Sequence, residues 1–256
     1  MQPSPTSAVL PNLPNFFILG AIPAVLEGEP FVREGVMGAV LDLVKVLFEP
    51  TAVFERVRER PRFLAPFITL AVITVVIVAL QLPYTKAALA VQFAATPNMT
   101  PEQAQTGMKF AAVGIVIAPI FFGLFLVVNA LILWVSTSVL GGEGKFTTLL
   151  SVTTYASITY ALLQVIGVVV LTMRGPGSVT SMLDLQPALG LDLLAPDAKG
   201  FTLGLLRGIN PFTLYGVFLT ATGIAVTHKT SKGVAYTAAG VQFVIALLIG
   251  AALTRG

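Results

Sequence analysis

Five stretches of this chain, residues 63–82, 110–140, 149–173, 212–227 and 234–253, run without a single Asp, Glu, Lys, Arg or His. Crossing a hydrocarbon layer of roughly 30 Å takes about 20 largely apolar residues at about 1.5 Å per residue of helix. A soluble core of this size does not need uninterrupted runs of that length. A water-facing surface is also hard to build, because only 11% of the residues are charged against roughly 25% in an ordinary soluble domain. The mean hydropathy of +0.89 agrees. The expected fold is an all-α integral membrane protein, a bundle of about five transmembrane helices spanning residues 63–82, 110–140, 149–173, 209–228 and 234–253. The fourth span is short and draws on Ile209 to Pro211 at one end and on His228 at the other. The second is overlong and carries Pro119, which predicts a tilt or a kink.

Residues 1–32 contain an apolar run from Phe16 to Leu26, but no Lys or Arg precedes it and Pro11, Pro14 and Pro23 interrupt it. It is read as a tail lying on the membrane or on the protein and not as a signal peptide. Residues 33–62 form the one strongly charged segment. Val36, Val40, Leu43, Val44 and Leu47 share one helical stripe, opposite Asp42, Lys45 and Glu49, the pattern of an interfacial helix. A second short helix is expected from Thr51 to Arg60. Pro50 suits its start, Pro61 forces its end, and Val53, Phe54 and Val57 turn toward an apolar partner. Arg56, Arg58, Arg60 and Arg62 outnumber Glu55 and Glu59, so this collar is expected to meet anionic lipid headgroups.

With the amino terminus inside, nine basic residues fall in the inside loops: Arg33, Lys45, Arg56, Arg58, Arg60, Arg62, Lys145, Lys229 and Lys232. Six, namely Lys86, Lys109, Arg174, Lys199, Arg207 and Arg255, fall outside. The excess predicts a cytoplasmic amino terminus and an external carboxyl terminus. The net charge of +3 is spread along the chain and not gathered into an arm, which argues against nucleic acid as a partner. Anionic membrane lipids, other integral membrane proteins and self-association remain as partners.

Little here can do chemistry. There is no cysteine, the single His228 ends a span beside Lys229, and the spans hold no acid or base for a proton relay, paired carboxylates or a Ser–His nucleophile. No cofactor or metal is expected. The segment Gly141 to Phe146, GGEGKF, lacks the upstream Gly and the following Ser or Thr of a nucleotide-binding loop. Gly141, Gly142 and Gly144 are therefore read as an interhelical turn. Asn129, Tyr155, Tyr160, Gln164 and Gln242, with many Ser and Thr, are the polar groups of the spans and are expected to hydrogen-bond between helices. Small residues pair at helical spacing in Gly114 with Ala118, Gly216 with Thr220, Ala235 with Ala239 and Ala246 with Gly250, which favours close helix packing. The linker from Arg174 to Pro211 is too rich in Leu to be freely solvated, so it is expected to pack over the bundle or on the leaflet.

Three places carry a resemblance. LFEPTAVFERVRERPRFLAPF, Leu47 to Phe67, joins a short helix to the first span through a Pro. FFGLFLVVNALILWVSTSVLGGEGKFTTLLSVTTYAS, Phe121 to Ser157, holds the second span, a Gly-Gly turn and a Tyr-Ala start of the third. With the closing pair of spans, these resemble the Yip-domain family, the Ypt/Rab-interacting membrane proteins, in the form of its bacterial members, from about Val36 onward. The chain departs from the pattern at Ile158-Thr159, where related sequences often place a Pro, so the resemblance carries no kink to that point. It implies five spans, a cytoplasmic amino terminus and a bacterial cytoplasmic (inner) membrane. Eukaryotic relatives look like trafficking adaptors that engage prenylated small GTPases and shape membranes, but no GTPase-contact residue is matched here. The sequence thus favours a non-enzymatic scaffold or accessory subunit, with a small-molecule or lipid transporter as the alternative.

Overall fold

The computed structural model describes residues 30–142 and 144–254, and the tail expected over residues 1–32 lies almost wholly outside them. Two units are distinguished, one ending at Gly38 and one running from Ala39 onward; of the first, only the opening of helix α1 (Pro30–Lys45) is described. The second unit continues through α2 (Pro50–Glu59), α3 (Leu64–Ala94), α4 (Pro101–Val139), α5 (Phe146–Ala156), α6 (Ile158–Arg174), three 3₁₀ turns over residues 176–194, α7 (Gly200–Gly208), α8 (Pro211–His228) and α9 (Lys232–Leu253). No strand occurs among the described residues.

Local chemistry sets the helix ends. Pro50 occupies the first turn of α2, and Arg60 leaves the helix in extended geometry ahead of Pro61. The Thr100 side chain accepts from the Gln103 amide while Gln103 reaches back to the Thr100 amide, a capping box that opens α4. Asn210 caps α8 by accepting from the amides of Phe212 and Thr213. At the far end of α4 the Gly142 amide donates to Thr137 and the Gly141 amide to Ser138, with Gly141 at φ +80°. These two bonds form a Schellman stop, and the left-handed geometry at Gly141 is one that glycine adopts without a Cβ penalty. The turn expected at Gly141, Gly142 and Gly144 is therefore a helix terminator. Gly144 is further constrained, since a Cβ there would stand 2.9 Å from the Thr137 hydroxyl, and its carbonyl accepts from Trp134 Nε1 at 3.0 Å.

Three helical units, α3, α4 and α9, are each long and apolar enough to cross a membrane, and α5 with α6 makes a fourth of 29 residues. A fifth span is expected over residues 209–228. There α8, whose 18 residues reach about 27 Å, passes the same measure of length and apolarity only together with α7, from which it is bent by 57° at Ile209–Asn210, as in a broken span or a re-entrant loop. The first span runs on past residue 82 through Pro83 and Lys86 to Ala94, because α3 stays paired with α4, where the Phe93 ring fills the space above Gly107.

The third span is broken at Ser157 even though no proline stands there. Thr153, Thr154 and Ser157 each turn a hydroxyl back to the carbonyl four residues earlier, and Thr159 bonds that of Ala156. Such back-bonding competes with the helical amides and bends helices.

The core lies where α2, α5 and α8 converge with the first turns of α3 and the middle of α4: Val53, Phe54, Leu70, Leu126, Val152 and Leu219 are all sealed there. A second cluster joins α8 to α9 through Ala221, Ile224, Ala235, Ala238 and Ala239. Antiparallel register follows from near-contacts of glycine positions, Gly216 against Thr159 and Gly223 against Val152.

Candidate functional site

The segment between the tail and the first span is the most densely charged of the chain, with 11 of its 27 charged residues, so its placement decides what the molecule can present. On α2 the expected apolar side, Val53, Phe54 and Val57, is buried, and its partners are α8 and α5. A Cβ on Gly223 would stand 3.1 Å from two ring carbons of Phe54 and 2.5 Å from Val152 Cγ1, so the missing side chain at Gly223 is the seat of that ring. Two phenols hold the adjoining segment from Ala39 in α1 to the turn that follows it. Tyr155 donates to the Ala39 carbonyl at 3.4 Å, and Tyr215, which the sequence did not single out, donates to the Leu47 carbonyl at 2.6 Å.

The four arginines separate into two kinds. Arg56 grips Asp42 through both Nε and Nη2, at 3.0 and 2.6 Å, clamping α2 to α1. The hydrogen bond to Asp42 also holds the Arg56 guanidinium above its ordinary pKa. Arg58 reaches the Val226 carbonyl at 3.4 Å in the last turn of α8, where a cation complements the helix dipole. Arg60 and Arg62 are exposed in the link to α3. The outward face of α2 therefore holds Glu55, Arg58, Glu59 and Arg60, all exposed, on a backbone fixed from behind.

Within the spans, Asn129 of α4 and Gln242 of α9 make the one side-chain hydrogen bond between membrane helices among the described residues, Nε2 to Oδ1 at 2.6 Å, while the Asn129 amide also serves the Phe125 carbonyl. Tyr160 is exposed beside Phe125, and Gln164 is half-buried with no hydrogen bond among the described residues. The Ser and Thr hydroxyls expected to link helices instead serve carbonyls of their own helix, as at Thr69, Thr74 and Thr220. That partner is already in reach when the helix forms, so no neighbour is required. Of the small-residue pairs, Gly216 and Ala235 with Ala239 sit in packed contacts, whereas a Cβ at Gly114 or Gly250 meets nothing.

Beyond the bundle, the linker from Arg174 to Pro211 is folded over α3 and α6. Val179 and Leu185 pack with Tyr84, Ala88 and Leu171, and Pro187 covers Gly167. A partly buried ion pair, Arg207 Nε to the buried Asp192 Oδ2 at 3.0 Å, closes it onto α7. Asp192 also accepts from the Gly190 amide, and Arg207 donates to the Leu183 carbonyl. Nothing in the sequence marked this pair, since a spacing of 15 residues through irregular backbone has no signature.

The chain is 27% identical over 205 residues to membrane protein YknW of Bacillus subtilis (strain 168), an alignment that takes in 78% of this chain and 84% of the relative. No solved structure matches. The model of the Yip1 domain matches residues 44–253, from the last two residues of α1 to the end of α9. That match takes in the α2 segment, the glycine stop, the broken third span and the closing helix pair alike, and the chain belongs to the Yip1-domain family.

Proposed function

We propose that this protein is a non-enzymatic membrane scaffold or accessory subunit that holds membrane-protein or lipid partners on the charged outer face of α2, with its amino terminus in the cytoplasm of a bacterial cell and its carboxyl terminus outside. The observation that carries this reading is the double anchoring of α2. Its apolar side is sealed against α8 and α5, and Arg56 is clamped to Asp42, so Glu55, Arg58, Glu59 and Arg60 are displayed on a support that needs no further ordering. Each basic residue near an anionic surface contributes about 1 kcal/mol. The orientation is supported by the Arg58–Val226 contact, which puts the arginine-rich segment at the same end of α8 as Lys229 and Lys232. Basic residues gathered at one end of a bundle mark its cytoplasmic side.

The test is purification of tagged protein from native membranes in mild detergent, with co-purifying proteins and lipids identified by mass spectrometry. A stoichiometric membrane protein that is recovered with the wild type and lost with Arg60→Glu, at unchanged thermal stability, is the expected result. Lipid alone, together with flux of labelled lipid or solute in reconstituted liposomes above empty controls, replaces this reading with a transporter.

A further inference from the structure

The contacts of α2 with α8 keep one register. Leu47 bonds Tyr215 and Arg58 bonds Val226, both pairs 168 residues apart, and the Phe54 ring sits on Gly223 between them. The two helices therefore run in the same direction, in step. We propose that α1 and α2 form a re-entrant hairpin whose turn, Val46 to Glu49, lies among the acyl chains of the leaflet on the amino-terminal side, with lipid covering Leu41, Val44 and Phe48.

Depth selects that occupant, and it is read in two ways. From Val226 back to Tyr215 is eleven residues of α8, ~16 Å, which is about the hydrocarbon of one leaflet, roughly half of 30 Å. With Arg58 among the headgroups, the turn at Leu47 thus reaches the acyl layer. The neighbouring spans place it independently. Gly216, next to Tyr215, faces Thr159 of α6, where a Cβ would stand 2.8 Å from the Thr159 hydroxyl. The following residue, Tyr160, is the middle one of the 29-residue unit Phe146–Arg174. Its ring lies 6.2 Å from that of Phe125, the middle residue of the uncharged run 110–140. The turn is level with the centres of two spans and not with their ends.

Exposure follows the same logic. Ala39, Leu43 and Val46 are buried against the bundle, whereas Leu41, Val44 and Phe48, three and four residues apart on the other side, are 52%, 56% and 79% exposed. A helix apolar on both sides suits protein on one and lipid on the other. The stripe expected to lay α1 flat on the membrane surface included Leu43, which instead packs into the core. Asp42 and Arg56, each seven residues from Glu49, pair across the turn, so from Ala39 onward α1 runs back along α2. Two charges near the turn are accommodated. Side chains of a helix tilt toward its amino terminus, so Lys45 reaches back toward the headgroups. Glu49 follows Lys45 by one turn, its amide bonded to the Lys45 carbonyl at 2.7 Å, and feels the charge of Arg56. The proposal concerns the turn and not the charged end of α2, so its failure leaves the scaffold reading standing.

The chain has no cysteine, so single cysteines can carry a nitroxide in liposomes, where collisions with oxygen report hydrocarbon and collisions with a water-soluble nickel chelate report water. Ile68 is the ruler, being 52% exposed on α3 beside Phe67, whose ring stacks on Phe122 at the level of the turn. Labels at Phe48→Cys and Val44→Cys are expected to give an oxygen-to-nickel ratio within about twofold of Ile68→Cys and about tenfold above Glu59→Cys. A Phe48→Cys ratio equal to that of Glu59→Cys puts the turn in water and overturns the proposal. Few collisions with either reagent mean that protein covers the stripe, which overturns the assignment to lipid. The unsubstituted chain, with a lipid carrying a photoreactive diazirine in its acyl chain, is expected to be labelled at Phe48 as strongly as at Ile68. Labelling of Ile68 without Phe48 overturns the proposal even if no cysteine variant folds.

Discussion

Gly223→Ala probes the seating of α2 with a single methyl group. That methyl would arrive 2.5 Å from Val152 Cγ1 and 3.1 Å from two carbons of the Phe54 ring, where unstrained carbon contacts are about 3.5–4.0 Å. Val152 cannot step aside, because a β-branched residue in a helix has essentially one rotamer and this one is fully buried. The strain must move Phe54, and with it α2. Overpacking of this kind costs about 1–3 kcal/mol, and at about 1.4 kcal/mol per tenfold, 2 kcal/mol raises the population of undocked α2 roughly 30-fold. Trypsin reads that population, since Arg56 and Arg58 lie in α2 and are cut only when the helix detaches. Faster cleavage at these sites is expected, and Val152→Ala in the same chain, which removes the offending methyl, is expected to reverse most of it. Cleavage at the wild-type rate in Gly223→Ala, or no recovery in the double variant, refutes the seating of Phe54 over Gly223.

Asp192→Asn leaves Arg207 without its charge partner in a partly buried setting and is expected to cost about 1–3 kcal/mol, seen as early proteolysis of the linker before α8; Arg207→Met in the same chain should recover part of the loss. Gln242→Leu is expected to destabilise the bundle by about 0.6 kcal/mol and by no more than about 1.7 kcal/mol, measured by steric trapping in bicelles. Asp184 accepts from the Thr180 amide, the Thr180 hydroxyl and the Ser181 amide at 2.8–2.9 Å. Partial burial pushes its carboxyl up, but these donors prevail and hold it below the ordinary carboxylate range. A depressed folded pKa gives stability that is present above the unfolded value of about 3.9 and lost as pH falls through the folded one. Hydrogen exchange at Thr180 and Ser181 should therefore lose protection below about pH 4 in the wild type, and an identical profile in Asp184→Asn would rule out the carboxylate as the cause.

The spans were legible because hydrocarbon reads a chain by length and charge, and five uncharged runs leave few alternatives. The ends of α2 and α4 were legible for a related reason: Pro50, Pro61 and Gly141 act on their own backbone, whatever the rest of the chain does. The pairing of α2 with α8 was not. Val53, Phe54 and Val57 announce an apolar partner, but lipid and a helix satisfy the same pattern, and the selector is a missing Cβ at Gly223. The same limit hid the sorting of the arginines, which depends on Asp42 and a carbonyl in the last turn of α8. The break at Ser157 illustrates a different limit. Proline is the usual cue for an interrupted helix, and here the interruption falls in a dense run of hydroxyls without one.

The contacts that hold the amino-terminal helices span about two thirds of the chain: Leu47 and Tyr215, like Arg58 and Val226, are 168 residues apart. At a synthesis rate of about 5–20 residues per second, α2 leaves the ribosome roughly 8–34 s before the helix that receives it. During that interval three spans enter the membrane while Phe54 has no seat and the basic residues have only the nascent chain and the membrane surface as neighbours. The docking of α2 is thus a late step of biogenesis, and a chain arrested before α8 keeps an apolar, arginine-rich helix exposed to the proteases that remove incomplete membrane proteins.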